Sequence, residues 1–264
     1  MSCNWPRRNS RPKYVSFNFE CVMLNLPKQK IKKLLHTLGI EAHRYHPTAS
    51  PLARLMAAMQ AFEIDLVFDI GANEGQFAME LREGGYQGRI VSFEPLAQAF
   101  DTLSTLSKHD RTWSVHPRCA LGDRLGEIDI NISGNSVSSS ILPMLASHSA
   151  AAPQSAYIGR ERVPLITVDS MAQDYLAGSR APLLKIDTQG YEWQVLDGAM
   201  TSLPNVRGIL MELSLLPLYE GQRLWRECVE RLESAGFVLW SLEPAFVDPA
   251  NGRTMQWNGL FFRP

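Results

Sequence analysis

"LVFDIGANEGQF", residues 66–77, runs an apolar segment straight into a glycine-spaced turn and then into helix-forming residues. Phe68 and Ile70 flank Asp69, and Gly71 and Gly75 bracket Ala72-Asn73-Glu74. A buried strand that feeds a glycine turn and a helix is the opening unit of a parallel α/β sheet, whose ligands sit at the carboxyl ends of the strands. Placing a carboxylate there is costly unless something meets it. The turn therefore reads as ligand-binding, the plainer alternative being a tight turn with no ligand.

The next acid supports a nucleoside. Glu94 ends the following apolar segment in "IVSFEP", 23 positions after Gly71. At that distance a carboxylate can accept hydrogen bonds from the two vicinal ribose hydroxyls. Asn73 stands where a dinucleotide fingerprint has its second glycine, and asparagine tolerates a left-handed turn. NAD needs the G-x-G-x-x-G cradle for its pyrophosphate, which this turn lacks. S-adenosylmethionine instead carries an amino group and a sulfonium, so Asp69 becomes a ligand for positive charge.

Strands and helices alternate outward from this turn. Strands are expected at 65–70, 89–94, 112–121 and 182–190, with helices at 74–83 and 96–107. "YEWQVLDGA" and "RLWRECVERLESAG" read as helices and "VRGILMELS" as a strand. "FVLWSLEP" and "GLFFRP" close the chain as two strands with too short a connection for a parallel crossover. Residues 122–162 interrupt the pattern: "GEIDINIS" alternates like an antiparallel edge strand, and a long polar loop follows. Upstream, Ser50 and Pro51 start a helix whose stripe is Leu52, Leu55, Met56 and Met59. Before it, Ile31, Leu34, Leu35 and Leu38 recur at helical spacing with lysines opposite and Gly39 as the stop. The expected organisation is a loose tail over 1–22, N-terminal helices over 23–61 and the main domain over 62–264; Met23 is an alternative start.

Composition narrows the class. The chain has 264 residues, 45% of them hydrophobic, and a formal net charge of −1, so no overall basic field argues for nucleic acid. Nine Lys and Arg against two acids in residues 1–50 leave the rest acidic. The basic helix there either lies on an anionic membrane surface or is the solvated face of a packing helix. Cys3, Cys21, Cys119 and Cys228 are scattered, without metal or disulfide spacing, which fits a cytoplasmic protein. No run is long and apolar enough for a membrane span, and Arg7, Arg8, Arg11 and Lys13 are not followed by the apolar core of a secretory signal. The oligomeric state has no signal in the sequence.

"VFDIGANEGQF", "IVSFEP", "CALGD", "NSVSSSIL", "ITVDS", "LLKIDTQGYEWQVLDGA" and "GILMELS", in this order, resemble the FkbM-type S-adenosylmethionine-dependent methyltransferases over roughly residues 62–262. The resemblance implies a Rossmann-like class I methyltransferase fold, a seven-stranded sheet in order 3-2-1-4-5-7-6 with strand 7 antiparallel. It also implies methyl transfer to a hydroxyl of a saccharide, glycolipid or other small hydroxylated metabolite. By position, Asp69, Gly71, Asn73 and Gly75 would hold the methionine side of the cofactor, Glu94 the ribose, and Ala120 and Leu121 would flank the adenine. Asp123 is either an adenine N6 acceptor or the turn acid of "GDRLG".

An alcohol is a poor nucleophile, so something must take its proton as the new bond forms. Alternation puts Lys185 and Asp187 on one face of "LLKIDTQG". We expect Asp187 to be the substrate-facing base, with Lys185 holding its charge or a substrate oxygen; the alternative is a buried structural ion pair. Glu212 ends the next strand and faces the same cleft. Asp187 and Glu212 could instead hold Mg²⁺, although a third ligand is not obvious and no metal site is assigned. Gln189 and Glu192 are expected near the substrate, Glu192 alternatively as a helix-start residue. Asn135, Ser136 and Ser140 in the long loop are expected to hydrogen-bond the acceptor unless that loop is a flexible linker. His148 is either a lid base or an exposed loop histidine. Three further readings stay open: a nucleic-acid methyltransferase, a non-catalytic S-adenosylmethionine or nucleoside binder, and an NAD-dependent reductase.

Overall fold

The computed structural model describes residues 28–41 and 45–264. The chain divides into two units, residues 1–44 and 45–264. In the first, helix α1 (Lys28–Thr37) stops at Gly39, whose φ of +69° lets the Ile40 N–H turn back to the Leu35 carbonyl at 2.9 Å. Leu38 and Ile40, just beyond it, are exposed. The tail 1–22 and the start at Met23 lie outside the described residues.

In the second unit, α2 (Pro51–Ala61) begins where expected, with Ser50 Oγ accepting from the Ala53 N–H at 3.2 Å. Its buried residues are Ala53, Ala58 and Met59, while Leu52, Leu55 and Met56 are only half-buried. Strand β1 (Leu66–Ile70), helix α3 (Gln76–Glu83), β2 (Arg89–Phe93), α4 (Ala97–Ser107) and β3 (Trp113–Val115) follow. Then come β4 (Ala120–Leu121), β5 (Gly126–Ser133), α5 (Ala146–Ala151) and β6 (Tyr157–Ile166). The chain ends with α6 (Val168–Leu176), β7 (Pro182–Ile186), α7 (Glu192–Asp197), β8 (Gly208–Ser214), α8 (Trp225–Ser234), β9 (Val238–Val247) and β10 (Thr254–Phe262).

Seven strands form one sheet in the order β3-β2-β1-β7-β8-β10-β9. Numbered within this sheet alone, that is 3-2-1-4-5-7-6, and the last strand is antiparallel to both neighbours. This is the Rossmann-like class I methyltransferase topology. Along β1 the side chains alternate between the two cores: Leu66, Phe68 and Ile70 pack with α6, α7 and α8, and Val67 packs with α2 and α3. Each such fully buried side chain contributes roughly 1.5–3 kcal/mol. The strand order reverses between β1 and β7, so a crevice opens at their carboxyl ends.

Two sequence expectations change here. The strand read across 112–121 is split: β3 belongs to the large sheet and β4 to a second one of order β4-β6-β5. Pro117 lies in the break, where a residue without an N–H cannot continue a ladder. The long loop is also more structured than its composition implies. It holds α5, a 3-10 turn at Pro153–Ser155, and bridges Asn131–Ser140 and Met144–Tyr219.

Candidate active site

The turn after β1 is built by backbone geometry. Gly71 has φ +75°, Asn73 +48° and Gly75 +90°, so the chain reverses within five residues. The N–H groups of Gly71 and Ala72 donate to the Phe93 carbonyl at 3.1 and 3.0 Å, tying the turn to the end of β2. Gly75 is needed for packing, since a Cβ there would lie 2.8 Å from the Trp113 ring. Glu94 stands beside the turn, 4% exposed, with Oε2 accepting from the Asn73 N–H at 2.8 Å and Oε1 from the Leu96 N–H at 2.9 Å. Burial pushes its carboxyl up to about 7 against the pull of these two donors. Asn73 Nδ2 donates to Ser136 Oγ at 3.3 Å, whereas Asn73 Oδ1 is buried without a hydrogen-bond partner. A free acceptor next to a carboxylate suits a ligand that brings hydroxyl or ammonium donors.

Asp69 does not face this crevice. It is 0% exposed; Oδ2 accepts from Ser92 Oγ at 3.1 Å, and Oδ1 lies 3.1 Å from Lys185 Nζ as an ion pair outside good hydrogen-bond geometry. Ser92 is in turn held by Trp113 Nε1 at 2.9 Å. Strand pairing explains the placement, because β1 and β7 set Asp69 directly opposite Lys185. The expectation that Asp69 meets the ligand itself is corrected on this geometry, since a side chain with no accessible surface cannot touch one.

Lys185 gathers the crevice floor. Its ammonium donates to the Gly71 carbonyl at 2.9 Å and the Ile70 carbonyl at 3.4 Å, and Asp187 Oδ2 lies 3.6 Å away. Burial opposes the charge, yet the Asp69 and Asp187 carboxylates outweigh it and hold the lysine above its ordinary value. Asp187 is half-exposed. Gln189, in the left-handed region at φ +54°, donates from Nε2 to Asp187 Oδ1 at 2.7 Å and to Glu212 Oε2 at 2.8 Å. Glu212 also accepts from Gln256 Nε2 at 3.1 Å. Burial, then the neighbouring Asp187 and Glu192 carboxylates, hold Glu212 well above the usual carboxylate range. The Gln189 amide thus joins Asp187 and Glu212, with Asp187 the member open to the cleft.

The other expected residues divide. Ser136, itself at φ +56°, reaches Asn73, and Ser140 Oγ donates to the Gln189 carbonyl at 2.6 Å, so the long loop does meet the crevice. Asn135 instead organises its own loop, its Oδ1 accepting from Ser133 Oγ at 2.8 Å and the Ser138 N–H at 3.1 Å. Both Nε2 contacts of Gln189 go to the acid pair rather than outward. Glu192 is buried and closes the turn before α7, accepting from Gly190 N–H at 3.0 Å and Thr188 N–H at 3.1 Å. Burial pushes it up to about 7. Ala120 and Leu121 are buried on β4, Ala120 packing with Leu96 just beyond Glu94. Asp123 is exposed and pairs with Arg124 at 2.9 Å. His148 fits neither expectation, since it is buried between Tyr219 and Phe246 with Nδ1 3.1 Å from Ser155 Oγ. Among the described residues no group of three or more His, Cys, Asp or Glu is placed to hold a metal ion.

Sequence reasoning missed Ser92, Trp113, Tyr219 and Gln256. Ser92 had a signal, two residues before Glu94 on a buried strand; the other three reach the site only through tertiary packing.

Residues 69–239 match the family described as "Methyltransferase FkbM domain". No curated protein sequence matches the chain. Among solved structures, the magnesium protoporphyrin IX methyltransferase of Synechocystis with bound SAM is similar at 9% identity, over 92% of this chain and 100% of that one, with TM-score 0.44. TehB of Haemophilus influenzae is 10% identical over 80% and 62% of the two chains, with TM-score 0.43. Fibrillarin of Aeropyrum pernix with S-adenosyl-L-methionine is 11% identical over 75% and 66%, with TM-score 0.43. The chain thus spans less than two thirds of the TehB and fibrillarin chains. With the family match running from the carboxylate of the first strand to the ninth, the chain belongs to the FkbM methyltransferase family.

Proposed function

We propose that this protein is an S-adenosylmethionine-dependent O-methyltransferase acting on a hydroxyl of a saccharide, glycolipid or other small hydroxylated metabolite, with Asp187 as the proton acceptor. The observation that carries the reading is the half-exposed Asp187 carboxylate at the end of β7, one strand from the glycine turn, held by Lys185 and Gln189. S-adenosylmethionine is the cofactor, and when bound it supplies a methyl carbon already activated by a sulfonium. Glu94 and the free Asn73 acceptor suit its hydroxyl and amino donors, and the Ala120–Leu121 segment an apolar ring beside Glu94.

The protein's own tasks are alignment, exclusion of water and removal of one proton. Orientation alone can lower such a barrier by roughly 7–11 kcal/mol. Ser136 and Ser140 place loop hydroxyls beside the turn and the acid pair, where they can orient a polyhydroxy acceptor. Asp187 takes the acceptor's hydroxyl proton as the oxygen attacks. Lys185 and Gln189 hold the Asp187 carboxyl in place, and burial keeps Glu212 well above the usual carboxylate range.

Net charge −1 gives no basic field for a nucleic-acid substrate. We place the protein in the cytoplasm, where the free Cys119 and Cys228 thiols stay reduced. Lys32 and Lys33 of α1, with Leu38 and Ile40 exposed beyond them, suit contact with an anionic lipid surface. No helix of the described residues is long and apolar enough to cross a membrane.

The test is incubation with methyl-labelled S-adenosylmethionine and extracts separated into glycolipid, polysaccharide, small-molecule, RNA and protein pools. Alkali-stable label in a hydroxylated pool, lost in Asp187→Asn, is the expected result. Label confined to RNA or protein would overturn it.

A further inference from the structure

We propose that Tyr219 is the positioning residue that sets the orientation of the Gln189 amide and so ties Asp187 to Glu212. The proposal deepens the assignment of Asp187 and rests on it for its catalytic meaning. Tyr219 lies between β8 and α8, 0% exposed, with its ring packed against the Gly190 turn and His148. Its hydroxyl donates to Gln189 Oε1 at 2.8 Å; the Ser138 carbonyl, at 3.3 Å, is the weaker acceptor.

A carboxamide has two N–H donors on one side and an acceptor on the other. Here each N–H reaches a different carboxylate, Asp187 Oδ1 at 2.7 Å and Glu212 Oε2 at 2.8 Å. Turned over, the amide would press its oxygen against both. Carboxylates alone disfavour that orientation, but they leave the side chain free to swing away from the pair. The Tyr219 hydroxyl removes that freedom by fixing the far end. Gln189 is held at φ +54°, a left-handed conformation that is strained for a non-glycine residue. That strain persists because Ser140 grips its carbonyl and Tyr219 its amide.

The phenol is suited to the task. Burial, together with the surrounding carboxylates, raises it above its ordinary value, so it stays a neutral donor. The groups facing Glu212 are Asp187, Glu192, Lys185 and Gln256, besides Gln189 and Tyr219. Tyr219 also links the acceptor loop to the pair through Ser138 and the bridge to Met144. One hydroxyl therefore touches both the loop and the amide that joins the two acids.

The experiment uses the full chain and needs no acceptor substrate. Side-chain carboxyl groups are titrated by carbon NMR, and exchange of the Gln189 side-chain amide is followed, in wild type, Tyr219→Phe, Gln189→Met and the double variant. In wild type the amide protons should be protected from exchange; free exchange there would already overturn the proposal. In Tyr219→Phe exchange should rise at least tenfold. The midpoint of Glu212 should move up by about one pH unit, because a donor to its ionised form is lost. The double variant should match Gln189→Met alone, since Tyr219 acts through that amide. Unchanged exchange and midpoints in Tyr219→Phe, or additive shifts in the double variant, would overturn the positioning role. Calorimetry with S-adenosylmethionine should stay within threefold of wild type and reports that the fold is intact. Retained methyl transfer by Asp187→Asn would sink the base assignment while leaving these readouts unchanged, so the two failures are distinguishable.

Discussion

Gly71 and Asp187 meet backbone to backbone: a Cβ on residue 71 would lie 1.9 Å from the Asp187 carbonyl oxygen. The turn proposed to hold the methyl donor and the strand end proposed to receive the proton are therefore one contact. Lys185 closes it from below by bonding the Gly71 carbonyl.

Gly71→Ala should be strongly destabilising. It combines a side chain at φ +75° with a clash against backbone that cannot swing aside. A loss of about 3 kcal/mol or more is expected, read as a fall in Tm, along with at least tenfold weaker S-adenosylmethionine binding by calorimetry. Wild-type behaviour would mean that the two strand ends separate easily.

Asp187→Asn should leave cofactor affinity within about threefold while lowering turnover by roughly 10²–10⁴, the usual range for a lost proton acceptor. Comparing calorimetry with label transfer separates the two effects. Retained turnover would assign the proton to another group.

Lys185→Met should cost about 3–5 kcal/mol, because it strands the fully buried Asp69 carboxylate. Adding Asp69→Leu should restore much of this, as the orphaned charge is then gone. Chemical denaturation of both variants tests it; a double variant no more stable than Lys185→Met would show that the lysine acts mainly through the turn carbonyls.

Glu94 makes a pH prediction. Its folded value of about 7 exceeds its ordinary 4.5. Between these limits the folded chain holds a proton that the unfolded chain has lost, so the stabilisation is complete below 4.5 and vanishes as pH rises through 7. Glu192, also raised to about 7, acts in the same sense, whereas His116 and His148, lowered by burial, gain stability up to 6.5. The clean readout is therefore the Tm of Glu94→Gln minus that of wild type, which should rise by several degrees from pH 4.5 to 7.5. A flat difference would contradict the raised value. Affinity of wild type for S-adenosylmethionine should increase over the same range, as the ionised carboxylate is the better acceptor for ribose hydroxyls.

Local patterns carried most of the architecture. Ser50 capping α2 and the Gly39 stop of α1 could be read directly because such signals act within a few residues. The short link between β9 and β10 likewise required an antiparallel pair. The loop after β5 was harder. Its polar residues read either as acceptor-binding groups or as a flexible linker, yet Ser138 accepts from Asn135, and Asn131 and Ser133 at the end of β5 donate to the Ser140 and Ser155 carbonyls. Polar composition reports a loop's affinity for water only until the fold offers those groups partners.

By itself the sequence determined the strand–turn–helix unit at 66–83, the alternation that makes the sheet mostly parallel, and the presence of acids at four strand ends. These follow from side-chain period and from the few conformations open to glycine and proline. Only the tertiary structure decided which acids face the cleft. Asp69 and Lys185 are 116 residues apart in sequence, yet pairing of β1 with β7 sets them opposite each other and turns one carboxylate inward. Asp187, two positions further along the same strand end, is left half-exposed. Periodicity assigns a side chain to a face, but whether that face meets solvent, a ligand or a buried counter-charge depends on which distant strand lies alongside it.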